Sequence, residues 1–288
     1  AEAIYMDLGV AVLPQFLKDN TDRNRTSPFA FTGNKFEFRM PGSAVNLSDC
    51  NMILNTAVAK SLKDFADACE GLEGAEFEKK AISYVRQLLT DHKRIIFNGN
   101  GYSEEWQEEA ARRGLANHRN TAEALPCFVS QKSIDLFAEF GILSESEVHS
   151  RYEVKLDKYT KLLNIEARVM IRMARRTYLP AINEYLGELA STVNAVKAAV
   201  PGADTTQQEE VLNKLLTGVS KANEALKALD ELHKEIAALD DEQEKANRYA
   251  HEGIPAMEAL RTEIDLLEKI TDRDHWPVPT YNDILFYV

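Results

Sequence analysis

The sequence predicts a mainly α fold with a short α+β stretch at its N-terminal end. From about residue 144 to residue 271 apolar residues recur every three or four positions, the period of one helix face. Before residue 45 that period is absent. Pro14, Pro28 and Pro41 punctuate the stretch, and Lys35-Phe36-Glu37-Phe38-Arg39-Met40 alternates polar with apolar. With 288 residues, 44% of them hydrophobic, the chain can bury the core of one or two domains.

In an extended strand successive side chains point to opposite faces, so Lys35, Glu37 and Arg39 share one face while Phe36, Phe38 and Met40 face a core. A helix is expected from about Ser48 to Cys69. Ser48 is its N-cap, Ile53, Leu54, Ala57, Val58, Leu62 and Phe65 form its apolar face, and Gly71 is its stop. A second helix spans about Glu76–Lys93. Ile95-Ile96-Phe97 reads as a short β-like piece running into Asn98-Gly99-Asn100-Gly101. Ser103 then caps a helix over Glu104–Arg113 that ends at Gly114, and another runs over about Ser130–Phe140 to Gly141.

Ser144-x-x-Glu147 forms a capping box that opens a long helix toward Val200, kinked or broken near Pro180. Its expected seam is Tyr152, Leu156, Tyr159, Leu163, Glu166, Met170, Met173 and Thr177. After Pro201-Gly202 the same beat continues through Leu212, Leu215, Val219, Ala222, Leu226, Leu229, His233 and Ile236. A third helix over about Asp241–Thr271 carries Met257, Leu260, Ile264 and Leu267, with Gly253 and Pro255 disturbing its middle. Short connections and sustained heptads predict a long antiparallel three-helix arm over about 144–271. The aromatic tail Trp276–Val288 is expected to dock on the body.

A formal charge of -12 and a pI near 5.1 argue against nucleic-acid binding, which wants a broad basic surface. Cys50, Cys69 and Cys127 lie far apart, with no CxxC and no His nearby in sequence. That excludes a disulfide scaffold or a zinc knuckle and suits a reducing cytoplasm. No apolar run reaches the roughly 20 residues of a membrane span, and no signal-peptide pattern opens the chain.

Against this acidic background, Arg23, Arg25, Lys35 and Arg39 face a single acid, Glu37, between positions 23 and 40. A carboxylate between two cations on a strand suits a hard divalent cation and a phosphoryl group. The same pattern is also what any half-buried antiparallel strand displays, so spacing leaves both readings open. Phe97–Ser103 could offer amide donors to a phosphate or serve as a structural turn. Glu104, where a third glycine would fall, weighs against the anion. Arg168, Arg172, Arg175 and Arg176 read as a solvated helix face, or as a contact for an acidic surface on a neighbouring subunit. His233 falls on the seam, as a buried or boundary imidazole.

The segment resembles the end of the catalytic domain of a glutamine synthetase of the type III class. Asn24-Arg25-Thr26-Ser27 is similar to that family's substrate loop, and Lys35-Phe36-Glu37-Phe38-Arg39 to its final metal-and-phosphate strand. Asp22–Asn34, Phe97–Ser103 and Trp276-Pro277…Pro279-Thr280-Tyr281 resemble type III wording, so the likeness covers nearly all of the chain.

The resemblance implies that residues 1–95 are the C-terminal part of the catalytic domain, with the last strands of its sheet. It makes 96–288 the type III C-terminal helical domain, with the arm at 144–271 and a docking tail at 272–288. The parent enzyme would join ammonia to glutamate with ATP through γ-glutamyl phosphate. Glu37 would bind Mg²⁺ or Mn²⁺, whose other ligands lie on strands before this chain begins. Arg39 would hold the phosphoryl group in transfer, Arg25 substrate or phosphate charge, and Lys35 would lie near the nucleotide, where the family usually has Arg. A further family Arg falls at Ala30.

The resemblance also implies a cytoplasmic homo-oligomer of two stacked hexameric rings, with active sites shared between neighbouring subunits. The chain, starting at Ala1, would then be the C-terminal part of a longer enzyme, inactive alone. The rival expectation is a non-catalytic helical assembly or interaction module.

Overall fold

A computed structural model describes residues 5–6, 16–17, 29–31, 36–38, 42, 45–97, 100–101 and 103–286. They are mainly helical and fall into two compact units, residues 1–117 and 118–288.

In the first unit β1 (Tyr5–Met6) pairs antiparallel with β2 (Phe16–Leu17), and β3 (Phe29–Phe31) with β4 (Phe36–Phe38). Helices α1 (Leu47–Ala68) and α2 (Gly74–Asp91) follow, with Gly71 at φ +71° in the turn between them. The ring of Phe65 meets Phe77 and Tyr84 edge-on at 6.3 and 5.5 Å, which fastens α1 to α2. The cap of α1 is Asn46, two residues before the expected Ser48: its Oδ1 accepts from Ser48 N at 2.8 Å.

The expected β-like Ile95-Ile96-Phe97 is not a strand. Lys93–Ile95 is a 3-10 turn, and the Ile96 carbonyl accepts from the Arg113 side chain instead of from a neighbouring strand. Helix α3 (Glu104–Arg112) closes the unit.

The second unit opens with α4 (Thr121–Ala124), a 3-10 turn (Leu125–Val129) and α5 (Gln131–Glu139). The capping box then forms as expected. Ser144 Oγ accepts from Glu147 N, and Glu147 Oε2 accepts from Ser144 N at 2.8 Å. It starts α6 (Glu145–Met173), which continues through a π-helical turn (Ala174–Tyr178) into α7 (Leu179–Ala199). Next come α8 (Thr206–Ala237), α9 (Glu242–Arg248), a second π-helical turn (Tyr249–Gly253), α10 (Ile254–Glu268) and the short α11 (Tyr281–Leu285).

Helix α8 runs back along α7 and α6, as the ion pairs Lys197–Glu209 at 2.5 Å and Arg175–Asp230 at 3.1 Å mark out. Helix α9 then reaches α6, where Tyr152 Oη donates to Gln243 Oε1 and Thr160 Oγ1 to Glu242 Oε2. Helix α10 returns along α8. Ile182, Leu215, Leu226, Leu229, Ile236, Leu260 and Leu267 are buried in the core they share. Along α6 the expected seam slips after Leu163. Glu166 is exposed, and Ala167, at 1% exposure, takes the buried place, followed by Ile171 and Ala174. A straight helix repeats every 3.6 residues, so a seam counted at 3.5 drifts off the core.

The expected disturbances near Pro180 and Pro255 both take the form of π turns. Each proline is the second residue of the helix that follows its turn. Proline lacks an N–H and its ring crowds the carbonyl four residues back, here Arg176 and His251. Both lie inside the widened turn, where the α pattern is already interrupted. In the second turn Gly253 leaves room for the fully buried Tyr249, since a Cβ there would stand 2.9 Å from the ring's Cδ1.

The chain after α10 packs back on α7. Trp276 is buried and stacks on Tyr178 at 5.2 Å, and His275 bridges Glu188 at 3.2 Å and Asp272 at 3.3 Å.

Leu226, 3% exposed, lies midway along α8. Leu226→Asp should destabilise the second unit by at least about 3 kcal/mol, through lost burial and an unpaired buried carboxylate. Circular dichroism melting of the variant checks this.

Glu188, then Asp272, hold the His275 imidazole above its ordinary value of 6.5. Because the folded form binds its proton more tightly, this contribution is full below pH 6.5 and fades as pH rises through the raised value. His233 has the opposite sign. Burial, then Arg168, hold it below 6.5, so the fold loses stability as pH falls from 6.5. Urea midpoints of the parent chain and of His275→Gln, compared across pH 5 to 8, should differ most at the acid end.

Candidate functional site

Of the four residues expected to meet substrate or metal, Glu37 lies among the described residues; Arg25, Lys35 and Arg39 lie outside them. Glu37 is the middle residue of β4 and is half-buried. The register sets it directly across from Ala30 of β3, with Phe29 opposite Phe38 and Phe31 opposite Phe36. The position where the family tends to carry a further Arg is therefore the cross-strand partner of the expected metal ligand. Side chains that face each other across an antiparallel pair lie within contact distance.

Among the described residues no group of three or more His, Cys, Asp or Glu is placed to hold a metal ion. Glu37 contributes one oxygen donor, which fits a hard divalent cation in kind but falls short of the six or more oxygens such ions take. The described part of this chain therefore does not form a metal site by itself.

Asn100 and Gly101 of the Asn-Gly-Asn-Gly run are described; Asn98, Gly99 and Tyr102 lie outside. The Asn100 carbonyl accepts from Ser103 N at 3.1 Å and Ser103 Oγ at 2.8 Å. Ser103 occupies the N-cap position of α3, yet its hydroxyl is engaged on Asn100 and makes no side-chain cap bond. On these contacts Asn100 and Gly101, the described half of the run, behave as a turn.

Sequence reasoning passed over the residue that holds residues 94–96 to α3. Arg113 Nη1 donates to the carbonyls of Arg94 at 3.0 Å and Ile96 at 2.7 Å, and its guanidinium lies 5.7 Å from the Trp106 ring centre. Trp106 in turn stacks on Phe97 at 4.3 Å. Glu109 orients Arg113 and also takes two bonds from Arg112. Arg112, then Arg113, hold the Glu109 carboxyl below its ordinary value. The i,i+4 spacing of Glu109 and Arg113 was the one visible signal, and it does not reveal the carbonyls 17 and 19 residues back.

Cys127, read as having no His nearby in sequence, has His118 Nε2 3.3 Å from its Sγ. Arg168, Arg172, Arg175 and Arg176 are all exposed, and Arg175 pairs with Asp230. His233 is half-buried with its Nδ1 3.4 Å from Tyr249 Oη.

Residues 80–197 match the family model described as the glutamine synthetase C-terminal domain. Over 98% of its length the chain is 38% identical to the type-3 glutamine synthetase of Dictyostelium discoideum, of which it covers 39%. It is 34% identical to the glutamine synthetase of Bacteroides fragilis (strain YCH46), with 99% of this chain and 40% of that protein covered. For the glutamine synthetase of Butyrivibrio fibrisolvens the figures are 35% identity, 94% of this chain and 39% of the relative. The chain is thus similar to glutamine synthetases along almost its whole length, and it spans about two fifths of the length of these curated relatives.

Arg113→Ala removes two bonds to backbone carbonyls and the contact with Trp106. It should cost about 1–2 kcal/mol and loosen residues 94–97 from α3. Faster amide exchange over that segment, with α8 unchanged, is the expected readout.

Proposed function

We propose that this chain is the C-terminal portion of a type III glutamine synthetase, the parent enzyme joining ammonia to glutamate with ATP. The observation that carries the reading is Glu37 at the centre of strand β4, in a chain that matches glutamine synthetases along almost its whole length. On this reading residues 1–95 carry the last strands of the catalytic sheet, and 96–288 form the C-terminal helical domain. That domain comprises an antiparallel three-helix arm over 144–271 and a docking tail over 272–288. The parent is a cytoplasmic homo-oligomer whose two hexameric rings share active sites between subunits.

Glutamate's side-chain carboxylate attacks the γ-phosphate of ATP, ADP leaves, and ammonia then displaces phosphate from γ-glutamyl phosphate. A bound Mg²⁺ or Mn²⁺ neutralises phosphate charge. This chain's part is to place charge: Glu37 offers one oxygen toward the metal, Arg39 grips the moving phosphoryl group with its planar fork, Arg25 holds substrate or phosphate charge, and Lys35 lies near the nucleotide.

A second reading treats the chain as a helical assembly module. The apolar residues Ile284, Leu285 and Phe286, between 66% and 73% exposed at the end of α11, favour it. The two readings are compatible in one protein.

In the full-length enzyme Glu37→Gln keeps size and loses charge. It should weaken metal binding and lower kcat by about a hundredfold, the scale of about 3 kcal/mol of lost transition-state stabilisation. Arg39→Lys should cost kcat more than glutamate affinity. Steady-state rates against metal and glutamate concentration test both, and near-normal turnover would return β4 to an ordinary surface strand. The 288-residue chain alone should form no glutamine above background, because one carboxylate and three cations cannot hold metals and two anionic substrates.

A further inference from the structure

We propose that Cys127 is a hydroperoxide-sensing thiol, with His118 as the base and acid of its oxidation. The pair is built by local folding. Cys127 sits in the 3-10 turn Leu125–Val129, and its carbonyl accepts from Ser130 Oγ and Ser133 Oγ, both at 2.8 Å, so the backbone beneath the thiol is fixed. His118 is brought over it by the turn before α4. There Arg119 N donates to Glu123 Oε2 at 3.1 Å, Asn120 Nδ2 donates to Glu123 Oε1 at 2.8 Å, and Asn120 Oδ1 caps Glu123 N.

Glu123 gathers charge on this side of the helix. Arg119 N–H, then the Asn120 amide, then His251 and His118, hold its carboxyl below the ordinary range, and His251 Nε2 lies 3.3 Å away. One imidazole, His251, therefore lies against this carboxylate, while another, His118, touches an exposed thiol. Exposure also separates the three cysteines: Cys127 is exposed, Cys50 half-buried and Cys69 buried. The thiolate is the reactive form of cysteine, and a base at hydrogen-bond distance supplies it when the electrophile arrives.

The step balances as thiol plus hydroperoxide giving sulfenic acid plus alcohol, or water when the oxidant is hydrogen peroxide. His118 Nε2 takes the thiol proton and the sulfur attacks one peroxide oxygen. An S–O bond forms as the O–O bond breaks. Sulfur loses two electrons to the peroxide, and the leaving oxygen takes the proton back from His118. All three cysteines are free, so the product is a sulfenic acid, which thiols reduce.

The test treats the intact 288-residue chain with hydrogen peroxide in the presence of a dimedone-type trap and follows each cysteine by peptide mass mapping. Cys127 should be trapped about tenfold faster than Cys50 or Cys69, and His118→Gln should lower that rate about tenfold with an unchanged circular dichroism spectrum. Cys127→Ser should abolish the fast adduct. A milder variant, Glu123→Gln, guards against misfolding at position 118 and should slow trapping while iodoacetamide still reaches the thiol. Cys127 reacting no faster than Cys50 would overturn the proposal. So would an unchanged rate in His118→Gln, since the thiol would then react through exposure alone.

Discussion

The apolar seam of α8 is the constraint on which the second unit depends. Leu215, Ala222, Leu226, Leu229 and Ile236 are all nearly inaccessible to solvent, and neighbours approach them from two sides, α6 with α7 and α9 with α10. A helix that buries a face against two partners fixes the phase of both, because each must present its own apolar residues to the same row. That is why the ion pairs between the helices occur at their margins. Arg175–Asp230 and Lys197–Glu209 set register where solvent reaches, the buried Thr160 reaches out to Glu242, and the rest of the interior is left to packing.

Much of this was legible in the sequence, and the places where it was not share a cause. The period of α8 and α10 was readable because their buried rows contain large aliphatic residues, Leu226 and Leu260 among them. On α6 the row passes through Ala167 and Ala174, which a search for large apolar residues overlooks, and Glu166 stood in the wrong place as a result. The Asn46 cap was displaced from Ser48 for a similar reason: both residue types cap well, and backbone geometry alone decides between them. Ile95-Ile96-Phe97 has strand composition, yet a strand is a relation with a partner, and the partner here is the side chain of Arg113.

At the candidate site the sequence offers residue types and alternation, and says less about arrangement. Alternation around Glu37 predicted an extended segment, and Phe36–Phe38 within it is a strand paired with Phe29–Phe31. That Ala30 stands opposite Glu37 is information about register, which depends on where the turn falls, and no residue pattern in the stretch announces it. His118 and Cys127 show the same limit at short range: nine residues apart, they meet because the turn before α4 reverses the chain.

The π turn at Ala174–Tyr178 also acts as a phase adjuster for the helix that contains it. Upstream, buried residues follow at 163, 167, 171 and 174; downstream they resume at 179, 182 and 186, a step of five where three or four is the rule. One residue of α-helix corresponds to about 100° of rotation. Deleting one residue from this turn would let it wind as ordinary helix and would swing Leu179, Ile182 and Leu186 away from α8, although their chemistry would be untouched. The spacing across the turn is thus a variable separate from composition: an insertion or deletion there would disturb packing as severely as a substitution in the core, while more than twenty residues on, in the exposed Pro201-Gly202 connection, a change of chain length would not.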